Sequence, residues 1–501
     1  MGTPEQFAQL RELFGRLRFT EAGVCAAAGI ETVYELPALK VRTDRLVDPS
    51  DPQSLLVQLL IDGEPVRWTT VRDTLGRELE ILEELGLLQT SILDKDFCTA
   101  SVALYPDEAM YIASDKHSNL DSVAIGVPGD IVYSAMTPET HRFADLMPRR
   151  QCTDYLELCS GTGIAALIAA RTFAANAWAV DITERSTRFA QFNAALNGLE
   201  NVTAIAGDLY EPVAGKTFDV IVAHPPYVPS FETEMVFRDG GEDGEQITRR
   251  IIAGLGEHLR PGGQFHCDCM MTDRIDAPLE KRIREMLGPS ASDFDIILGQ
   301  AGILEPEDFL IRMIRTQNLP PDALSRRRDT LERLGVERFV NAAFLIQRRK
   351  SARPVVTRRR MVSSATTAEH FQSYLQWSTT SARWGENLDR LLESRPRRSP
   401  DVELHSHSAW RGGRWTVVES SLVTRTPFAT EANCPAWFAT LLARCDGAMT
   451  AREHLKHLRD IGVIPESGAE KEFAVLIGRL IDGGFVVVDF PDSSLDDEES
   501  A

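Results

Sequence analysis

The middle of the chain alternates short apolar runs with segments of helical spacing. Apolar runs of four to six residues at 155–159, 177–180, 202–206 and 218–223 are typical of buried strands. Helical patterns lie between and after them, at 164–173, 184–197 and 247–259, and a further strand is predicted at 264–270. Because β-α-β alternation places helices on both faces of a parallel sheet, residues 119–350 are predicted to form an α/β domain.

Both ends of the chain predict helices followed by a short β segment. In the N-terminal part, Phe7, Leu10, Phe14 and Leu17 recur at helical spacing, and a strand pair is expected at 97–104 and 109–113 with a turn at 105–107. In the C-terminal part, helices are predicted at 435–444, 451–460 and 470–483, before an apolar strand at 484–490. These orders predict a winged-helix-like module at each end.

The length of 501 residues agrees with several domains, at about 100–200 residues each. We predict a helical, winged-helix-like domain at 1–118, the α/β domain at 119–350, and a C-terminal domain at 351–490 that is winged-helix-like in its last part. The acidic tail 491–501 is predicted to be disordered. A hydrophobic content of 43% excludes a wholly disordered or collagen-like chain.

The charge is unevenly distributed. The net charge of −20 argues against a general binder of nucleic acid or of acidic membranes. Residues 315–360, however, hold thirteen Lys or Arg against four Asp or Glu. That stretch predicts either a local contact with nucleic acid or an acidic partner, or a solvated linker with helix-side arginines.

The sequence predicts a cytoplasmic location and no membrane contact. It holds no run of about 18 apolar residues and no apolar signal-peptide core at its start. The eight cysteines form no CxxC pair, which favours reduced thiols. His266 with Cys267 and Cys269, and the pair His405 and His407, are interpreted as strand residues, so no metal site is predicted.

The most informative motif follows the first predicted strand of the α/β domain. It runs Glu-Leu-Cys-Ser-Gly-Thr-Gly from Glu157, and its glycines allow a sharp turn into a helix and close approach of a ligand. Asp181 ends the second strand, where a carboxylate can accept both hydroxyls of a ribose. A nicotinamide-dependent dehydrogenase is an alternative, since Gly161-x-Gly163-x-x-Ala166 also matches the dinucleotide fingerprint, and so is a purely structural turn.

A second motif, His224-Pro225-Pro226-Tyr227, follows the fourth strand directly. Prolines stiffen the loop and lack N–H groups, so the loop presents its carbonyl oxygens to a substrate. Tyr227 offers an aromatic face to a planar group. The carboxyl ends of parallel strands meet at one edge of a sheet, so this substrate platform is predicted beside the glycine loop.

Together these motifs resemble those of the class I S-adenosylmethionine-dependent methyltransferases. The resemblance is to the small-domain type, which includes release-factor glutamine methyltransferases and nucleobase N-methyltransferases with an (Asn/Asp)-Pro-Pro-(Tyr/Phe) motif. The segment 239–244, Asp-Gly-Gly-Glu-Asp-Gly, is similar to another segment of the glutamine methyltransferases. The resemblance implies a Rossmann-like, seven-stranded sheet, S-adenosyl-L-methionine as cofactor, and an acceptor that is a protein, a nucleobase or a small molecule.

The resemblance also implies site roles. Glu157 lies near the cofactor's amino group, the two glycines line its methionine part, Asp181 holds the ribose, and Asp208 meets the adenine amine. The residues assigned to the cofactor are Glu157, Cys159, Gly161, Gly163, Asp181, Asp208, Leu209 and His224, and those assigned to the acceptor are Pro225, Pro226 and Tyr227. His224 and Tyr227 are the candidate catalytic residues.

Two positions depart from the family pattern. Cys159 replaces a glycine, and His224 replaces the Asn or Asp that accepts a hydrogen bond from a planar nitrogen group. A neutral His still accepts one such bond, which keeps N-methyl transfer as the first hypothesis. His is also a general base, so an O-methyltransferase or another proton-losing acceptor is the second. A catalytically silent, cofactor-binding regulator is the third.

Overall fold

The computed structural model describes residues 2–36, 48–116, 129–230, 235–317, 321–385, 387–435, 437–465 and 469–489. The chain divides into two compact units. The first comprises residues 1–291 and 304–349, and the second comprises residues 292–303 and 350–501. The predicted boundary at 118/119 and the predicted acidic tail 491–501 lie outside the described residues.

The N-terminal part of the first unit is mainly helical, with a small antiparallel sheet. Three strands, β1 (Val66–Arg67), β3 (Phe97–Ala100) and β2 (Leu88–Thr90), pair in that spatial order. The helices are α1 (Pro4–Arg16), α2 (Glu21–Ala28), α3 (Pro52–Leu56), α4 (Trp68–Leu75) and α5 (Leu79–Glu84).

A hairpin of β4 (Ala103–Asp107) and β5 (Met110–Ser114) follows. The predicted turn at 105–107 is wrong, because Pro106 lies inside β4 and the chain reverses at Glu108 and Ala109. Both turn residues have positive φ, 43° and 59°, as tight hairpin turns require.

The large sheet of the first unit has the spatial order β12-β10-β9-β6-β7-β8. All neighbours are parallel except β10 and β12. Its strands are β6 (Cys152–Leu158), β7 (Ala174–Asp181), β8 (Val202–Ala206), β9 (Phe218–Ala223), β10 (Leu259–Arg274) and β12 (Val336–Arg348).

Helices flank this sheet. They are α6 (Pro138–Leu146), α7 (Ile164–Thr172), α8 (Glu184–Leu196), α9 (Gln246–His258), α10 (Leu279–Met286), α11 (Pro306–Gln317) and α12 (Pro321–Arg333). The core beneath α7 includes Tyr155, Ile168 and Val220, all at most 1% exposed. Apolar residues on buried parallel strands and on the inner helix faces thus produce the predicted layers.

The N-terminal part and the large sheet share one core through α8. Phe7 of α1 contacts Phe192 edge to face, with ring centroids 5.5 Å apart, and Leu196 belongs to the N-terminal core cluster. The buried amides of Asn193, on the same helix, and of Asn197, at its C-terminal end, each exchange hydrogen bonds with the backbone of β5. The N-terminal elements are therefore fixed against the glycine-loop side of the fold.

In the second unit, β11 (Phe294–Leu304) pairs in parallel with β13 (Thr357–Met361). A separate antiparallel sheet has the order β15 (Glu403–Arg411), β16 (Arg414–Thr424) and β17 (Thr430–Asn433). The helices are α13 (Ala368–Trp384), α14 (Asp389–Glu393), α15 (Trp437–Arg444), α16 (Ala451–Asp460) and α17 (Glu470–Asp482), and β14 (Arg397–Arg398) pairs with β18 (Val486–Val487).

The α/β prediction is confirmed. Six strands of the Rossmann-like sheet lie in the first unit. The strand predicted at 264–270 begins earlier, at Leu259, and a register shift between Leu259 and Gln264 accommodates Pro261-Gly262-Gly263. The winged-helix character of the two ends and the domain boundaries stay predictions.

Candidate active site

A cavity of about 600 Å³ opens at the carboxyl ends of β6, β7, β8 and β9. Loops from four successive strands line it, together with residues 130–143 and 236–247. The residues predicted for the site that line it are Glu157, Cys159, Gly161, Asp181, Asp208, Leu209, His224, Pro225, Pro226 and Tyr227. The fold therefore brings together motifs that are up to 70 residues apart in sequence.

The two glycines of the first loop have different surroundings. Both have positive φ, 51° at Gly161 and 78° at Gly163. A Cβ on Gly161 would meet no protein atom within 4 Å, and Gly161 lines the cavity. A Cβ on Gly163 would lie 3.0 Å from the Cβ of Ala190, so Gly163 lets α7 approach α8. Its predicted contact with the cofactor stays a prediction.

Glu157 links the end of β6 to the start of α7. Its carboxylate accepts hydrogen bonds from the N–H groups of Ala165 and Ala166, at 3.3 and 2.8 Å. The side chain is buried, and desolvation raises the pKa of the Glu157 carboxyl to about 8 against those two donors. A cationic ligand in the cavity would favour its ionised form.

Asp181 is oriented by backbone amides. Its Oδ2 accepts from the N–H of Gly161 at 2.9 Å, and its Oδ1 accepts from the N–H of Thr183 at 3.1 Å. The Thr183 hydroxyl also lies 3.3 Å from Oδ1, whereas Oδ2 has no second partner among the described residues and keeps acceptor capacity. The geometry thus couples the glycine loop to a carboxylate that can still accept a hydrogen bond from a ribose hydroxyl.

The loop after β8 carries Asp208 and Leu209. The Oδ2 atom of Asp208 accepts a hydrogen bond from Nη2 of Arg250 at 2.8 Å, a contact that the sequence did not predict. Leu209 is buried and has a φ of 52°, which is unusual for a residue with a Cβ. Cys159, which also lines the cavity, has a φ of 55° where the family pattern has glycine.

His224 lies at the centre of a group of rings. Its ring centroid is 5.4 Å from that of Phe143 and 5.9 Å from that of Tyr227. Burial lowers the pKa of His224 below its ordinary value, so the imidazole is neutral near neutral pH. Burial also raises the pKa of Tyr227 to about 12, which keeps its phenol protonated.

The segment 239–246 supports the loop that holds His224. The N–H of Gly240 donates to the carbonyl of Val228 at 2.9 Å, and the N–H of Val228 donates to the carbonyl of Arg238 at the same distance. A Cβ on Gly240 would collide with the carbonyl oxygen of Pro226, and one on Gly244 would collide with that of Tyr227. Glycines are therefore required where the two loops touch.

A buried ionic network anchors the same segment. Glu245 is fully buried and pairs with Arg282, and its Oε1 also accepts from the N–H and the hydroxyl of Thr272. Asp243 pairs with Arg249 and Arg274, at 2.5 and 3.0 Å. These contacts fix the loop to α10 and β10.

Sequence reasoning missed the segment 130–143, which forms one wall of the cavity. Tyr133 stacks on Phe237 with ring centroids 5.1 Å apart, and both line the cavity. Thr137 caps α6 and Pro138 begins it, which is a readable start of a helix. That signal predicts a helix, but it does not predict that the helix lies against the His224–Tyr227 loop.

Neither of the other candidate clusters forms a ligand set. Cys267 and Cys269 lie on one face of β10 as predicted, with sulfur atoms 3.7 Å apart, and both are buried. His405 and His407 are exposed on β15 beside Glu403 and Glu419. Across the described ranges, no group of three or more potential metal ligands occurs.

The basic stretch 315–360 is largely engaged in internal contacts. Five of its arginines pair with carboxylates of their own unit, so the positive charge open to a partner is less than its residue count indicates. The pairs are Arg328 with Glu307, Arg333 with Glu242, Arg338 with Asp273, Arg353 with Asp295, and Arg360 with Asp482.

The large sheet with a cavity at the carboxyl ends of its strands is the arrangement predicted for a methyltransferase domain. Residues 132–286 match the family model described as the methyltransferase small domain. The predicted resemblance is confirmed over these residues, and the members of this family are methyltransferases that use S-adenosyl-L-methionine as methyl donor, in agreement with the predicted enzyme class and cofactor. No helix among the residues placed by the structure has the length and apolar character needed to cross a membrane.

Part of this chain is similar to three curated relatives. A ribosomal protein uL3 glutamine methyltransferase of Bradyrhizobium diazoefficiens is 37% identical over 126 residues, or 23% of this chain and 39% of the relative. Release factor glutamine methyltransferases of Gloeobacter violaceus and Koribacter versatilis are 36% and 33% identical, over 23% and 26% of this chain. The chain spans 45% and 51% of those two relatives, so all three matches cover only about half of a relative or less.

Proposed function

We propose that the protein transfers a methyl group from S-adenosyl-L-methionine to a nitrogen of a planar group, with a side-chain amide of a protein as the acceptor. One observation carries this proposal: a single cavity joins the glycine loop and Asp181 to the His224–Tyr227 loop. The names of the relatives, which are glutamine methyltransferases, favour the amide over a nucleobase or a small molecule.

The residues present fit the cofactor. Gly161 leaves open space beside the cavity, Asp181 holds two amides and keeps acceptor capacity for a ribose, and Glu157 supplies a buried carboxylate. The bound cofactor would supply a methyl group activated by its sulfonium. Catalysis by this chain then consists mainly of holding an acceptor nitrogen in line with that methyl group.

His224 is proposed to bind the acceptor amide. Its neutral ring has one nitrogen that accepts a hydrogen bond, and it can take that bond from the amide N–H. Tyr227, stacked beside it, would confine the planar amide. The supported loop beneath them keeps these side chains fixed, which is what alignment of a weak nucleophile requires.

A second candidate function has a specific observation in its favour. Because its pKa is lowered, His224 is unprotonated near neutral pH and can act as a general base for a hydroxyl or imidazole acceptor. His224→Asn separates the two candidates. If the amide is the acceptor, this variant retains or gains activity; if His224 is a base, the variant loses the part of the pH profile that follows the histidine.

The proposed function is tested by incubating the full-length protein with a cell lysate and cofactor carrying a deuterated methyl group, with mass spectrometry as the readout. Label on an amide nitrogen of a protein is expected, and Asp181→Asn should abolish it. Asp219→Asn is the matched control, since Asp219 lies at the opposite end of β9 and should leave labelling unchanged. Binding of the cofactor without any labelled acceptor would instead identify a silent regulator.

A further inference from the structure

A buried ion pair lies behind His224. Asp268 of β10 is 1% exposed, and Arg142 of α6 binds it through two hydrogen bonds of 2.7 Å, from Nε to Oδ2 and from Nη2 to Oδ1. Two parallel bonds from a planar guanidinium hold a carboxylate in one orientation. Neither residue belongs to the motifs that define the site.

The sheet register places this pair beside His224. In the parallel pairing of β9 and β10, Ala223 lies opposite Cys267, so the next residues, His224 and Asp268, are neighbours. Phe143 follows Arg142 on α6, and its ring contacts both His224 and the fully buried His266, with centroids 5.4 and 5.7 Å apart. The ion pair therefore fixes the helix whose next residue touches His224.

We propose that Asp268, held by Arg142, is a positioning residue for His224: the ion pair holds α6 and its Phe143 ring against the imidazole that faces the acceptor, and it sets the balance of charge around that imidazole. The proposal rests on the proposed function in treating His224 as the acceptor-binding group. It adds a structural reason for a histidine at this position: the strand register places His224 next to a carboxylate whose charge is compensated by Arg142.

The charges around His224 predict how its pKa responds to substitution of the neighbouring residues. Asp268 and His266 face it from β10, Arg142 and Glu139 from α6, and Tyr227 from its own loop. His266 is uncharged near neutral pH, since burial lowers its pKa to about 4. The charge of Asp268 raises the pKa of His224 and that of Arg142 lowers it, so the two halves of the pair act in opposite directions.

The test is a titration of the histidine Cε1–H signals of the full-length protein by NMR, with His224 assigned through His224→Asn. Asp268→Asn should lower the pKa of His224, and Arg142→Met should raise it. Arg142→Lys, which keeps the charge, should shift it less than Arg142→Met. Asp273→Asn is the matched control, because Asp273 is equally buried on β10 and paired with Arg338.

Loosened packing alone would shift the pKa of His224 in the same direction in Asp268→Asn and in Arg142→Met. Shifts of the same sign in these two variants, or no shift in Asp268→Asn, would therefore overturn the proposal. If Asp268→Asn does not fold, Arg142→Met and Arg142→Lys still give the decisive comparison. The titration needs neither cofactor nor acceptor. Its failure is therefore distinct from failure of the proposed function, which would appear as absent methyl transfer with the shifts intact.

Discussion

Gly161→Ala adds a single methyl group to the wall of the cavity. Gly161 has a φ of 51°, and a side chain in this left-handed region costs about 1–2 kcal/mol. The new Cβ would meet no protein atom within 4 Å, so no internal clash adds to that cost. If the cofactor fills the space, the methyl group overpacks it by about 1–3 kcal/mol, which corresponds to roughly 5- to 150-fold weaker binding.

Calorimetry with S-adenosyl-L-methionine measures the loss of affinity, and urea unfolding measures the loss of stability. Gly215→Ala is the matched control, since Gly215 has a φ of 77° and equally open surroundings but does not line the cavity. It should lose a similar stability and keep wild-type affinity. Gly163→Ala should lose more stability than either, because its Cβ contacts Ala190. Wild-type affinity in Gly161→Ala would refute the assignment of this loop to the cofactor.

Two further substitutions test the ionic network around Glu245 and the buried carboxylate of Glu157. Arg282→Met should lower the free energy of unfolding by about 3–5 kcal/mol, because it leaves the fully buried Glu245 uncompensated. Arg328→Met, which breaks the exposed pair with Glu307, should lower it by about 1 kcal/mol or less, and equal losses in urea unfolding would contradict this expectation. For Glu157, the native pKa of about 8 exceeds the ordinary 4.5, so its contribution to stability is complete below pH 4.5 and is lost as the pH rises towards and through 8. Glu157→Gln should remove that decline in a series of unfolding measurements, and an unchanged pH dependence would show that the carboxyl is ionised in the native state.

The strands and the acidic residues at their ends could be predicted from the sequence because their signals are local. Buried parallel strands such as β9 are continuous apolar runs, and Asp181 and His224 mark the points where strands end. The carboxyl ends of parallel strands lie at one edge, so the clustering of these residues in one cavity followed from the fold class alone.

Features set by tertiary contacts escaped prediction. Nothing local indicates that α6 places Arg142 against Asp268, or that Arg250 binds Asp208, since the partners are far apart in sequence. Gly161 and Gly163 belong to the same sequence motif, but only the structure shows that Gly161 is open to the cavity and that Gly163 packs against α8.

The most direct test of the central claim is methyl transfer itself. The full-length protein, incubated with deuterated-methyl S-adenosyl-L-methionine and cell lysate, is predicted to place the label on a side-chain amide nitrogen of a protein, and Asp181→Asn is predicted to abolish it. Label on a hydroxyl or on a ring nitrogen instead would support the alternative in which His224 acts as a general base. Absence of both cofactor binding and label in the wild-type protein would contradict the account.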